Sequence, residues 1–200
     1  MQISSYNSLN EIFFLQFEKY QNEDHLFFNN LNLKKFQTYT WADTNNNVLK
    51  LAKFLNEKKI IKGDRVLLVS ENRPEWLIAD LAILLNSGIT VPNYTTYTVN
   101  DFAFTINDCK PSGLIVSSPQ LLKNILLAAR KINYNFNFII LLNETNEVVA
   151  DNVINFSTVI EKKIDIEETK IFFKKINKSL TRKDPACIIY TSGTQGTPKG

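Results

Sequence analysis

The run of residues from Tyr190 to Gly200, YTSGTQGTPKG, carries the groups from which a phosphate site could be built. It offers the hydroxyls of Thr191, Ser192, Thr194 and Thr197, the glycines Gly193, Gly196 and Gly200, the amide of Gln195 and the ammonium group of Lys199. Glycine lets backbone N–H groups turn toward a phosphate and approach it closely. Hydroxyls donate further hydrogen bonds, and a lysine adds a mobile positive charge. A charge-assisted hydrogen bond contributes about 1.5–3 kcal/mol, so several together would hold a triphosphate tail. Such groups grip and steady; they do not by themselves perform chemistry. The bland alternative is a solvated turn between strands, which the unbroken run of glycines and hydroxyls disfavours.

Two phosphate signatures do not fit. A Walker A loop needs glycine directly before its lysine and Ser or Thr after it; here Pro198 precedes Lys199 and Gly200 follows. The dinucleotide pattern GxGxxG is absent.

The elements that must position this loop are legible upstream. Leu9, Ile12, Phe13, Phe17 and Tyr20 have the spacing of one helical face. A short strand, HLFFN, follows, and Thr40 with Asp43 three residues on marks a helix start whose buried stripe is Val48, Leu51, Ala52 and Leu55. RVLLVS is a continuous apolar run suited to a strand covered on both faces. The pattern then alternates. Pro74 opens a helix to Leu85 that Gly88 ends, ITVP is a strand, and TVNDFAFTIND is a helix with Val99, Phe102, Ala103 and Ile106 on one side. GLIVSS is a strand, Pro119 opens a helix to Lys131, and FNFIILL is a strand. Residues 143–183 are polar and charged, a connecting excursion with room for one helix, before the sheet resumes at ACIIYTSG. Strands and helices alternating through short turns predict an α/β domain with a largely parallel sheet and flanking helices.

Composition bounds the function classes. In 200 residues, 44% are hydrophobic and 22% charged, enough for one sizeable core. The net charge of +3 is scattered, with no basic tract to make nucleic acid a partner. Cys109 and Cys187 lie far apart with no CxxC and no clustered histidines, so both read as reduced core thiols and no metal site is expected. The N-terminus lacks a basic region and carries Glu11 and Glu18, unlike a signal peptide. The longest apolar run contains Asp80 and Asn86 and is too short to span a bilayer. A cytoplasmic protein is expected, with peripheral membrane contact left open. His25, the single histidine, reads as a packing or surface residue. Glu71 to Trp76 follow a strand where α/β sheets place ligand loops, but read better as a helix start with Trp76 packing. Tyr94, Thr95, Thr96 and Tyr97 read equally as a substrate route or as a loop and helix cap.

YTSGTQGTPKG closely resembles the phosphate loop of the adenylate-forming, or AMP-binding, superfamily, with Gln195 where that family usually has threonine. The resemblance continues through most of the chain from Thr38, including the GDRV turn and strand and the helix that ends in glycine before a Pro-containing strand. The stretch VPNYTTYTVNDFAFTINDCKPSGLIVSS is most similar to long-chain fatty acyl-CoA synthetases. The resemblance implies an enzyme that activates a carboxylic acid, a long-chain fatty acid in that branch, with ATP, magnesium and coenzyme A. It assigns phosphate binding to Thr191, Ser192, Gly193, Thr194, Gln195, Gly196, Thr197 and Lys199. The family's adenine, magnesium and ribose motifs, acyl pocket and mobile C-terminal domain lie beyond this loop. Residues 1–200 are therefore expected to be the N-terminal portion of the family's large domain, with no catalytic residue, no activity alone and poor solubility alone. Two alternatives stay open: a non-catalytic nucleotide-binding or interaction protein, and another branch acting on aryl or amino acids.

Overall fold

The computed structural model describes residues 6–30, 34–145, 152–191 and 199–200. Helix α1 (Leu9–Tyr20) leads to an antiparallel hairpin of β1 (Asp24–Asn30) and β2 (Lys35–Thr40). Then come α2 (Trp41–Glu57), β3 (Arg65–Val69), α3 (Pro74–Leu85), β4 (Ile89–Asn93), α4 (Val99–Cys109), β5 (Gly113–Val116), α5 (Pro119–Lys131) and β6 (Phe138–Leu141). The chain continues through β7 (Val153–Asn155), α6 (Phe156–Ile160) and α7 (Ile166–Asn177). Strands β4-β3-β5-β6-β7 form a parallel sheet in that order.

Period-2 alternation sorts the sheet's side chains onto two cores. Val66, Leu68, Ile115 and Ile140 pack with α2, α3, Phe156 and Phe173 on one face. Leu67, Val69, Val91, Leu114, Val116 and Ile139 pack with α4 and α5 on the other. Full burial of one such side chain contributes roughly 1.5–3 kcal/mol. Gly113 sits opposite Phe138 in the β5–β6 register, and the phenyl ring occupies the space a side chain would need.

The helix boundaries follow from caps. Thr40 and Asp43 form a reciprocal capping box on α2, and Thr98 and Asp101 form another on α4. Helix α3 starts at Pro74. It ends through Ser87, which holds a left-handed φ of 58° while the Gly88 N–H donates to the Ile83 carbonyl at 3.1 Å. Gly88 therefore ends the helix by close approach: a Cβ there would lie 3.1 Å from Ile83 Cγ2 and 3.3 Å from the Asp64 carbonyl.

Several expectations are corrected. The buried stripe of α1 is Asn10, Phe13 and Phe14, and Leu9 is 58% exposed, so the face is rotated from the one the spacing suggested. The HLFFN strand has a partner, β2, that the sequence reading missed. Residues 143–183 hold a strand and two helices among their described part, since Phe156, Val159 and Phe173 reach the core while Lys and Glu cover the outside. Near 186–190 the chain returns beside β4, but only as a single parallel bridge between Cys187 and Thr90. Cys109 is buried as expected, whereas Cys187 is exposed; both are free thiols.

Candidate functional site

The order β4-β3-β5 means that the chain leaves β3 toward one side for β4 and crosses back to the other for β5. Such a reversal opens a crevice at the carboxyl ends of the strands, where open α/β sheets bind ligands. There the Ser117 N–H, just past β5, donates to the Val69 carbonyl at the end of β3 at 2.9 Å. Beside it, the loop after β3 brings Arg73 to Glu75 at 2.7 Å and to Asn143 at 2.6 Å. These residues line a cleft of about 1240 Å³ under the β1–β2 hairpin. Arg73 is thus already paired, and Pro74 and Trp76 behave as the helix start and packing residue that the sequence suggested. A smaller cavity of about 390 Å³, lined by Leu9, Leu84, Gly88 and Ala186, lies at the opposite, amino end of the sheet.

The chain that leads into the glycine-rich stretch runs beside β4. Thr90 N–H donates to the Ala186 carbonyl and Ile188 N–H to the Thr90 carbonyl, each at 3.0 Å, so the chain runs parallel to β4 into the loop. Thr191 and Lys199 then face each other as an antiparallel pair, with Thr191 N–H donating to Lys199 O and Lys199 N–H to Thr191 O, both at 3.0 Å. The structure brings these two predicted site residues together at the root of the loop, and both are exposed. Ser192, Gly193, Thr194, Gln195, Gly196 and Thr197 fall outside the described residues.

The residue entering the loop, Tyr190, is buried. Its hydroxyl donates to Asp108 Oδ2 at 2.5 Å, and its ring meets Phe104 edge-on at 6.1 Å. Burial, with Asp108 beside it, holds the phenol well above its ordinary pKa, so the hydroxyl remains a donor. Burial also pushes the adjacent Cys109 thiol up to about 11. Arg65 fastens the same corner: its Nε donates to the Cys109 carbonyl at 2.8 Å and its guanidinium to the Lys110 carbonyl at 3.3 Å.

Asp108 and Arg65 were missed by the sequence reading. A signal existed: an acid in the last turn of a helix opposes the macrodipole, and α4 has no basic residue in that turn. Asn93, at the carboxyl end of β4, is buried with neither amide atom partnered, and Ser117 Oγ is likewise unpartnered. Tyr94 and Tyr97 pack edge-on at 5.6 Å just before the Thr98 cap, as a loop and helix cap would. His25 stacks on Trp41 at 3.6 Å with Nδ1 3.1 Å from Thr44 Oγ1, a packing role. Among the described residues there is no group of three or more His, Cys, Asp or Glu side chains that could hold a metal ion. No helix among them is long and apolar enough to cross a membrane.

A family model described as AMP-binding enzyme matches residues 13–200. The chain belongs to that family. Among curated relatives, it is 26% identical over 161 residues to the long-chain-fatty-acid–CoA ligase FadD15 of Mycobacterium tuberculosis, covering 80% of this chain and 25% of that protein. Human long-chain-fatty-acid–CoA ligase 6 is 31% identical over 134 residues, covering 66% of this chain and 19% of that one. This AMP-binding chain spans about a quarter of the length of the first of these relatives. Among solved structures, the anthranilate CoA ligase AuaEII in complex with anthranoyl-AMP superposes with a TM-score of 0.77 at 20% identity, over 100% of this chain and 36% of that one. The acetoacetyl-CoA synthetase from Streptomyces lividans gives 0.75 at 16% identity, over 95% and 29%. The fold is therefore that of adenylate-forming enzymes.

Proposed function

We propose that this chain supplies the phosphate grip of an ATP-dependent acyl-CoA ligase, and that the acid activated is a fatty acid. The reaction has two steps. A carboxylate is a poor acylating agent because its leaving group would be oxide. Attack of a carboxylate oxygen on the α-phosphorus forms an acyl-adenylate and breaks the bond to pyrophosphate. The sulfur of coenzyme A then attacks the acyl carbon and AMP departs. Pyrophosphate carries most of the charge that must be steadied as it leaves, and fixed donors aimed at it lower the barrier. Thr191, Ser192, Gly193, Thr194, Gln195, Gly196, Thr197 and Lys199 are the residues assigned to that work.

The observation that carries this reading is the paired root of the loop. Two reciprocal hydrogen bonds pair Thr191 with Lys199, just after the chain has run parallel to β4. Support for a fatty acid over an aryl acid comes from the names of the curated relatives, which are long-chain-fatty-acid–CoA ligases at 26–31% identity. We further propose that the 200 residues bind without turnover, because they span only part of those relatives. The test is a calorimetric titration of the 200-residue chain with ATP. Binding that weakens roughly tenfold or more in Lys199→Ala is expected from the loss of a charge-assisted contact. No binding, or equal affinity in the variant, would refute the assignment. Acyl-CoA formed by these residues alone from palmitate, ATP and coenzyme A would overturn the claim of no turnover.

A further inference from the structure

The corner between α4 and the loop joins groups that the phosphate reading does not use. Asp108 stands in the last turn of α4, where a carboxylate is disfavoured by the helix dipole. The helix accommodates it because Arg65, reaching across from β3, places its guanidinium on the terminal carbonyls of Cys109 and Lys110. The end of α4 that carries Asp108 is thereby tied to β3. It accepts the hydroxyl of Tyr190 at 2.5 Å, and Tyr190 is the residue directly before the Thr191–Lys199 pair. The tyrosine ring is held on a second side by Phe104, also on α4. The far end of the loop closes on the same ring: a Cβ at Gly200 would lie 2.7 Å from Tyr190 Cζ. Both ends of the loop thus rest on one side chain, and that side chain is anchored through one carboxylate.

We propose that Asp108 is a positioning residue for the phosphate loop, acting through Tyr190 as a latch that holds the loop root in one register against α4. This rests on the reading of the loop as a phosphate grip, and adds a residue 82 positions upstream of Tyr190 that touches no ligand itself. The latch acts through geometry. Without it the Tyr190 ring is free to swing and the Thr191–Lys199 pair loses its fixed base.

Two readouts on the 200-residue chain keep the latch separate from the phosphate reading. Amide hydrogen exchange at Thr191 and Lys199 reports the loop root with no ligand present, and titration with inorganic tripolyphosphate reports the grip. In Asp108→Ala and in Tyr190→Phe, exchange at those two amides is expected to rise tenfold or more while β3 and β5 amides keep their protection. Tripolyphosphate affinity falls about tenfold in both. Asp108→Asn keeps an acceptor oxygen for the tyrosine hydroxyl and is expected to restore protection and affinity to within about threefold of wild type. The double variant Asp108→Ala with Tyr190→Phe should be no worse than either single one. Unchanged protection in Tyr190→Phe, or Asp108→Asn as damaging as Asp108→Ala, would overturn the latch. Faster exchange in the two variants with no tripolyphosphate binding by wild type would sustain the latch and overturn the phosphate reading.

Discussion

Gly113→Ala tests whether the sheet that carries the site is packed as tightly as its geometry indicates. A methyl carbon on Gly113 would lie 2.1 Å from Phe138 Cζ, 2.3 Å from Cε1 and 2.6 Å from Cε2. Carbon atoms settle at about 3.5–4.0 Å, so the ring would have to retreat by roughly 1.5 Å. It has little room: Phe138 is 1% exposed and meets Phe54 of α2 edge-on at 6.2 Å. Overpacking of this kind costs about 1–3 kcal/mol, and a clash with a ring fixed on two sides belongs at the upper end. For a chain of this size about 3 kcal/mol lowers Tm by roughly 6–12 °C. Urea melts followed by circular dichroism would measure it. Phe138→Ala alone should cost about 3–5 kcal/mol. Because it removes the obstructing ring, the double variant should be more stable than the sum of the two losses by about 1 kcal/mol or more. A loss in Gly113→Ala within about 0.5 kcal/mol, the range of a surface substitution, would refute the reasoning.

Four further outcomes are expected. In native protein one thiol, Cys187, should react with Ellman's reagent, while Cys109, buried and with its pKa raised to about 11, reacts only on unfolding; equal rates for both would contradict the structure. Burial lowers the folded pKa of His25 below its ordinary 6.5, so its contribution to stability is present above about pH 6.5 and is lost as pH falls toward the folded pKa. The urea midpoint should therefore drop on acidification through that window, and less so in His25→Phe; identical slopes would count against it. Thr98→Ala removes the capping box of α4 and should cost about 0.5–2 kcal/mol, read by chemical denaturation. Asn45 is fully buried with neither amide atom partnered, so Asn45→Leu should raise the urea midpoint; a lower midpoint would mean the amide has a partner in solution.

Much of the frame was readable because local signals agreed with one another. Thr40 with Asp43, Pro74 and Pro119 marked helix starts that the structure places at those positions, and RVLLV, GLIV and FIIL were apolar on both faces, as buried parallel strands require. What escaped reading depended on distant partners. Strand β2 carries Lys35, Gln37 and an exposed Phe36, so only its pairing with β1 defines it. Helix α7 hides Thr169 and Phe173 behind a surface rich in Lys and Glu, which weakened its periodicity. The glycine- and hydroxyl-rich stretch stood out by composition alone, whereas the contacts around Tyr190 at its entry did not. Asp108 and Tyr190 are 82 residues apart, and nothing but the fold brings them to hydrogen-bond distance.

The most direct test of the central claim is a competition between the phosphate and nucleoside ends of the ligand. The 200-residue chain would be titrated by calorimetry with tripolyphosphate, ATP and AMP in turn, each also in the presence of the others. A loop that grips the β- and γ-phosphates predicts that tripolyphosphate binds and displaces ATP, while AMP binds at least tenfold more weakly. AMP binding as tightly as ATP, with no displacement by tripolyphosphate, would contradict it.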